Sequence, residues 1–181
     1  MMDWSGKTIL ITGASDGIGR DLVEQFDLLG VGKLILIGRD PTRLEQVASR
    51  CQSETRVEQV DLADPHQLTD LIERIAAEEV DVLVNNAGAN WGEPIESFPD
   101  AAWDRVLGLN VKAVFNLTRA LIPSLTKAGS PEDPARVINI GSIDGLKPPV
   151  LDTFSYSASK AAVHHMSRVL AAKLAPSKIT A

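Results

Sequence analysis

T-G-A-S-D-G-I-G, residues 12–19, decides how the rest of the chain reads. It follows a β-branched apolar run, T-I-L-I-T at 8–12, and opens a helical pattern over 17–29 with Ile18, Leu22, Phe26 and Leu29 on one face. A strand that passes into a helix through glycines is a place to hold a pyrophosphate. Gly13 turns the chain sharply, Gly17 lets backbone approach an anion, and Gly19 lets the helix pack closely on the strand. Helix N-terminal amides then face the anion. Ser15, Asp16 and Ile18 lie among these glycines and belong to the same predicted cradle. Glycines also serve ordinary turns, but the strand–turn–helix setting favours the nucleotide.

The alternation continues outward. Short apolar runs at 34–37 (L-I-L-I), 57–60, 80–84 and 136–140 predict four more strands. Helical patterns at 41–50, 66–77, about 101–125 and 155–174 separate or follow them. Pro41 suits a first helical turn, and D-P at 64–65 starts the third helix. Pro123 is expected to kink or end the long fourth helix. Strands alternating with helices imply crossovers and a mostly parallel sheet, that is, a three-layer, doubly wound α/β fold of Rossmann type. The predicted strand order is 3-2-1-4-5, with the ligand at the switch point between the first and fourth strands. No repeat, low-complexity tract or linker divides residues 1–181, which read as one nucleotide-binding domain.

Composition narrows the function classes. A net charge of −6 with no basic run argues against nucleic acid or an anionic membrane as partner. Cys51 is the only cysteine, which excludes an intrachain disulfide and a cysteine-based metal site; His66, His164 and His165 are badly spaced for zinc. No apolar run approaches the about 20 residues that span a bilayer. The first residues, M-M-D-W-S-G-K, lack the pattern of a secretory signal. These features predict a reduced, soluble, cytoplasmic protein that acts on a small molecule.

Three further strand ends carry predicted cofactor contacts. The second strand ends in Gly38-Arg39, where a carboxylate would bind a ribose 2′-hydroxyl; Arg39 suits a 2′-phosphate and favours NADP (NADPH) over NAD. The alternative is a solvated arginine paired with Asp40. Asp61, after the third strand, is placed to accept from an adenine amino group with the Leu62 amide alongside; otherwise it is a turn residue, Asp64 being the better helix cap. In N-N-A-G at 85–88, Asn86 ties neighbouring loops, and Ala87 and Gly88 are small enough for backbone to approach the cofactor.

Tyr156 and Lys160, in F-S-Y-S-A-S-K, share one face of the last helix. An isolated tyrosine, with pKa near 10, exchanges protons poorly at neutral pH. An adjacent ammonium stabilises the phenolate, which makes the pair a proton donor and acceptor. Tyr156 is the only tyrosine, and Ser142, after the fifth strand, can hydrogen-bond a substrate oxygen. Asn110, a poor mid-helix residue, either bends its helix and orders water leading from Lys160 or is a buried structural amide. His164 and His165 read as helix surface or a subunit contact. Trp4 and Trp103 read as packing residues, and Trp91 as a loop residue near a substrate.

Together these residues resemble the short-chain dehydrogenase/reductase family in its core one-domain form. T-G-A-S-D-G-I-G is similar to its cofactor turn, Asn85–Gly88 to its N-N-A-G element, and Asn110, Ser142, Tyr156 and Lys160 to its catalytic set. The resemblance implies hydride transfer between NAD(P)H and a carbonyl or secondary alcohol. Tyr156 would be the general acid/base, Lys160 its partner and a ribose ligand, Ser142 the carbonyl holder and Asn110 the anchor of a proton relay. Residues 85–93 and 133–142 resemble the NADPH-dependent 3-oxoacyl reductases of rhamnolipid synthesis. Two departures stand out. Asp16 occupies a place where many NADP-preferring members carry a basic residue. The chain also stops at K-I-T-A, 178–181, short of the family's last strands and substrate lid. The expectation is therefore a C-terminally truncated domain lacking its last strands. A homodimer or homotetramer would form through 101–125 and 155–174 if the full fold is present. The competing reading is a catalytically silent NADP-binding or interaction module. A sugar-nucleotide epimerase shares Y-x-x-x-K but fits the glycine spacing less well.

Overall fold

A computed structural model describes residues 3–181. Six parallel strands form one sheet: β1 (Thr8–Thr12), β2 (Lys33–Gly38), β3 (Glu54–Gln59), β4 (Val82–Asn85), β5 (Ala135–Asn139) and β6 (Ile179–Thr180). Their spatial order is β3-β2-β1-β4-β5-β6. The predicted order is present and gains a member. Ile179 and Thr180 pair with Ala135 and Arg136, so the expectation that every strand beyond the fifth is absent is corrected.

Between the strands run α1 (Gly17–Leu28), α2 (Pro41–Ala48), α3 (Pro65–Ile75), α4 (Asp100–Leu107), α5 (Val114–Ala128) and α6 (Phe154–Leu174). The local chemistry sets their starts. Asp40 accepts from the Arg43 amide at 3.1 Å and Pro41 fills the first turn of α2. Asp64 accepts from His66 and Gln67 ahead of α3. Each such cap contributes about 1 kcal/mol.

The strand alternation splits the core in two. Ile9, Ile11, Leu34, Leu36, Val82 and Val84 face α1 and α2, where Val23, Phe26, Leu44 and Val47 meet them. Leu10, Ile35, Ile37, Leu83 and Val137 face α3, α5 and α6. The central strands are buried on both sides, which is why they read as continuous apolar runs. The chain leaves β3 at one edge and re-enters at β4 beside β1. The loops at the C-terminal ends of β1 and β4 diverge at that switch point and open a crevice.

Two expectations change in detail. Pro123 neither ends nor interrupts its helix; α5 continues to Ala128, held by buried Leu121 and Leu125. The break in the long helix lies earlier, in a π-helical turn over Gly108–Ala113 that contains Asn110. β3 begins three residues before its predicted start because Glu54, Thr55 and Arg56 are polar and exposed or half-buried; its buried position is Glu58, neutralised by Arg56 at 2.6 Å and Arg74 at 2.8 Å. No helix among the described residues is long and apolar enough to cross a membrane.

Candidate active site

The glycine turn is locked to the end of β4. Gly13 adopts φ +67° and Gly17 φ +50°, left-handed conformations that favour glycine. A Cβ on Gly19 would overlap the Gly13 carbonyl oxygen and sit 2.5 Å from Asn86 Nδ2. Asn86 Nδ2 donates to the carbonyls of Thr12 at 2.9 Å and Gly13 at 3.2 Å. The buried Thr12 hydroxyl accepts from the amides of both Asn86 and Ala87, each at 3.0 Å. Thr12 was not singled out from sequence; a hydroxyl immediately before the first glycine was the available signal.

The crevice beyond is lined by Gly13, Ser15, Arg39, Asp61, Leu62, Ala87 and Gly88, seven of the expected cofactor residues. It continues into a cavity of about 580 Å³ that adds Ala89, Asn90 and Arg105. Leu109 lines both parts; it and Arg105 escaped the sequence reading because they sit in and beside the π-helical turn. Among the described residues the Arg39 side chain has no ion-pair partner, and Asp40 pairs with Arg43 instead. Asp61 closes a local turn by accepting from the Ala63 amide at 3.0 Å.

Asp16 behaves differently from the rest of the turn. Its Oδ1 accepts from the Gly17 amide at 2.8 Å, capping α1, and its Oδ2 meets Arg43 Nη1 at 3.2 Å. Ser15, Asp16, Arg20, Arg43 and Arg50 line a side cleft of about 180 Å³ against the main crevice. Ile18, in the first turn of α1, is 59% exposed. The amides of such a turn have no intrahelical acceptor and suit an anion.

The reaction-centre candidates gather where α6 crosses the ends of β4 and β5. Lys160 is buried, its Nζ donating to the Ile140 carbonyl at 2.6 Å and lying 5.6 Å from the Tyr156 ring centroid. Burial pushes its ammonium below the ordinary lysine value. Ser142 begins a tight turn, Ile143–Gly145, and its hydroxyl accepts from the Asp144 amide at 3.2 Å. Asn110 is buried and fully engaged. Its Oδ1 accepts from the Ala89 amide at 2.8 Å, and its Nδ2 donates to the Ala89 carbonyl and to Ser159 Oγ, both at 2.9 Å. Ser159 Oγ in turn donates to the Tyr156 carbonyl at 2.7 Å. One amide thus ties the loop after β4, the π-helical turn and the face of α6 that carries Tyr156 and Ser159 together. Asn85 adds a second tie, donating to Thr118 and Asn139.

His164 departs from the expected surface position. Its ring is partly buried and its Nε2 lies 2.9 Å from the Ser142 carbonyl oxygen. The cause is the space left by Gly141 and Gly145, whose missing side chains admit the imidazole. Trp4 packs on Phe26 and Trp103 on Phe98, as structural aromatics do.

Comparison with known proteins bears on the family and the fold. The family model for short chain dehydrogenases matches residues 7–181. The rhamnolipids biosynthesis 3-oxoacyl-[acyl-carrier-protein] reductase of Pseudomonas aeruginosa is 37% identical over 175 residues, covering 94% of this chain and 68% of its own. The Pseudomonas aeruginosa RhlG/NADP active-site complex superposes with a TM-score of 0.92 at 34% identity, over 99% of this chain and 72% of that one. A bulky-bulky ketone specific alcohol dehydrogenase from Comamonas testosteroni gives 0.86 at 31% identity, over 96% of this chain and 69% of that one. On sequence and fold alike, the chain belongs to the short-chain dehydrogenase family.

Proposed function

We propose that this chain binds NADP(H) in the crevice between β1 and β4 and interconverts a ketone, of the 3-oxoacyl type or a related bulky kind, with its secondary alcohol. The observation that carries this reading is the buried Lys160 ammonium held beside Tyr156 and against the strand end that leads to Ser142. A buried ammonium bonded to a neutral carbonyl and, among the described residues, to no carboxylate is costly, and such groups cluster at functional sites.

The residues present fit a dinucleotide. Gly13 and Gly19 leave no room for a Cβ, so backbone forms the crevice floor there, and Gly17 has open space above it. The amides of Ile18 and Gly19 would face the diphosphate, Asp61 and Leu62 the adenine, and Ala87 and Gly88 the nicotinamide ribose side. Arg39, free of other ion pairs among the described residues, would hold the 2′-phosphate; Asp16 serves as helix cap and Arg43 partner. The relative whose solved complex carries NADP supports the same choice. When bound, the nicotinamide supplies or accepts the hydride.

The chain's own residues handle the proton. Ser142 Oγ hydrogen-bonds the substrate oxygen and fixes its position. Tyr156 gives that oxygen its proton during reduction and takes it back during oxidation. Lys160 stabilises the charge that develops on the Tyr156 oxygen, an effect strengthened by its desolvated setting. Asn110 holds the loop and helix at fixed distance, with both Nδ2 hydrogens donated and Oδ1 accepting from the Ala89 amide. The 3-oxoacyl assignment rests on the named activity of the Pseudomonas relative, and a bulky ketone on that of the Comamonas enzyme.

The test is NADPH consumption by the chain with a 3-oxoacyl thioester and a diketone panel, with NADH in parallel. Consumption with NADPH, reduced about 10²–10⁴-fold in Tyr156→Phe, is expected, since that is the usual worth of general acid catalysis. A folded, NADPH-binding chain that turns over no carbonyl would refute the reading.

A further inference from the structure

We propose that His164 is a positioning residue for Ser142, holding the serine's main chain so that its hydroxyl faces the substrate oxygen. The inference rests on the reading of Ser142 given above and assigns the device that sets its geometry.

α6 reaches the end of β5 twice, from side chains one turn apart. Lys160 Nζ donates to the Ile140 carbonyl at 2.6 Å, and His164 Nε2 lies 2.9 Å from the Ser142 carbonyl oxygen. A carbonyl only accepts, so Nε2 carries the hydrogen. That hydrogen is present on the neutral Nε2–H tautomer and on the imidazolium alike, so the bond survives a change of charge on the ring. The same Ser142 carbonyl also accepts from the Gly145 amide at 3.1 Å, closing the tight turn. His164 is therefore a second donor on the one acceptor that defines this turn.

Packing makes the contact specific. A Cβ at Gly141 would lie 2.6 Å from His164 Cε1, and one at Gly145 would lie 2.9 Å from His164 Cδ2. The ring occupies a slot between two glycines that flank Ser142 closely in sequence. Glycines on both sides leave the backbone of the serine turn with unusual freedom. The α6 backbone at Lys160 and Ala161 confines Gly145, and the imidazole confines Gly141 and bonds the carbonyl between them. Misplacement of a reacting group by about 1 Å can cost 10²-fold in rate. A strap on Ser142 thus acts on the chemistry without touching the substrate.

Two measurements test this. Amide hydrogen exchange on the free protein compares the parent with His164→Leu and His164→Gln. The Gln amide can place an N–H near the position of Nε2; Leu cannot. Exchange across 141–145 should quicken at least tenfold in His164→Leu and stay near the parent rate in His164→Gln, with residues 12–19 unchanged in both. Turnover is then measured in a double-mutant cycle with Ser142→Ala. His164→Leu should lower kcat about tenfold or more, with KM and NADPH affinity little changed. Gln should restore most of it, and the Leu change should cost nothing further once Ser142 is Ala. Should His164→Leu fail to fold, His164→Asn replaces it; its shorter amide falls short of the Ser142 carbonyl and should lose kcat likewise. Unchanged exchange at 141–145, or additive losses in the cycle, would overturn the proposal. A silent Ser142→Ala with Tyr156→Phe inactive would instead remove the role assigned to Ser142 and the inference with it.

Discussion

Gly19 and Gly17 should fail in different ways when given a methyl group. At Gly19 a Cβ would overlap the Gly13 carbonyl oxygen and press on Gly13 C at 2.7 Å and Asn86 Nδ2 at 2.5 Å. Neither neighbour can yield freely: Gly13 is backbone, and Asn86 Nδ2 holds the Thr12 and Gly13 carbonyls. Overpacking costs about 1–3 kcal/mol, and two disrupted hydrogen bonds add about 1 kcal/mol each, so Gly19→Ala should lose about 4 kcal/mol. For a domain of this size that is a fall in Tm of roughly 8–16 °C. Gly17 has φ +50° but nothing within 4 Å of a built Cβ. Its alanine pays only left-handed strain of about 1–2 kcal/mol, partly offset by the stiffer unfolded chain. Gly17→Ala should therefore melt within roughly 4 °C of the parent. It should nonetheless bind NADPH more weakly, because the methyl group projects into the space assigned to the diphosphate. Thermal unfolding followed by far-UV circular dichroism, with nucleotide titration by fluorescence, separates the two. A Gly19→Ala protein as stable as Gly17→Ala would refute the packing argument.

Two further perturbations follow from the ion pairs. Asp16→Asn keeps a cap on α1 but removes one of the two carboxylates that Arg43 meets and a negative charge from the turn. NADPH binding should tighten about 3–5-fold, the scale of an exposed ion pair, and NADH binding by less, since NADH lacks the 2′-phosphate charge; weaker NADPH binding would contradict the assignment of this end of the crevice. Glu78 concerns stability against pH. Burial alone would raise its carboxyl pKa, but hydrogen bonds from Lys33 and Arg56 outweigh that and hold it below the ordinary 4.5. Its folded pKa is thus depressed, so its contribution is fully present above about 4.5 and is lost as the pH falls through the folded value. Urea midpoints of the parent and Glu78→Gln should differ at neutral pH and converge in acid; a gap that widens in acid would reverse the sign.

What was legible in the sequence follows the physics of burial. β1 and β2 are buried on both faces, so T-I-L-I-T and L-I-L-I announce themselves. The glycine turn was legible because steric demands there admit few residue types. β3 was read short because the first residues of this edge strand, Glu54, Thr55 and Arg56, are polar and exposed or half-buried, and hydrophobic patterning misses them. Pro123 was over-read: tertiary contacts of Leu121 and Leu125 outweigh the loss of one helical hydrogen bond. Asn110 drew notice as an awkward helical residue, but its partners Ala89 and Ser159 lie far away in sequence. His164 was passed over for a related reason. Its importance depends on a slot between Gly141 and Gly145, which exists only once α6 is laid across the end of β5.

The central claim is that hydride reaches a carbonyl at a site where Tyr156 handles the proton. The most direct measurement is a single-turnover reaction of the chain with NADPH deuterated at both C4 positions and a ketone substrate, with mass analysis of the alcohol, in parent and Tyr156→Phe proteins. The account predicts deuterium on the carbinol carbon in the parent and its near absence in Tyr156→Phe at equal nucleotide binding. Alcohol without deuterium, or equal deuterium transfer by both proteins, would contradict it.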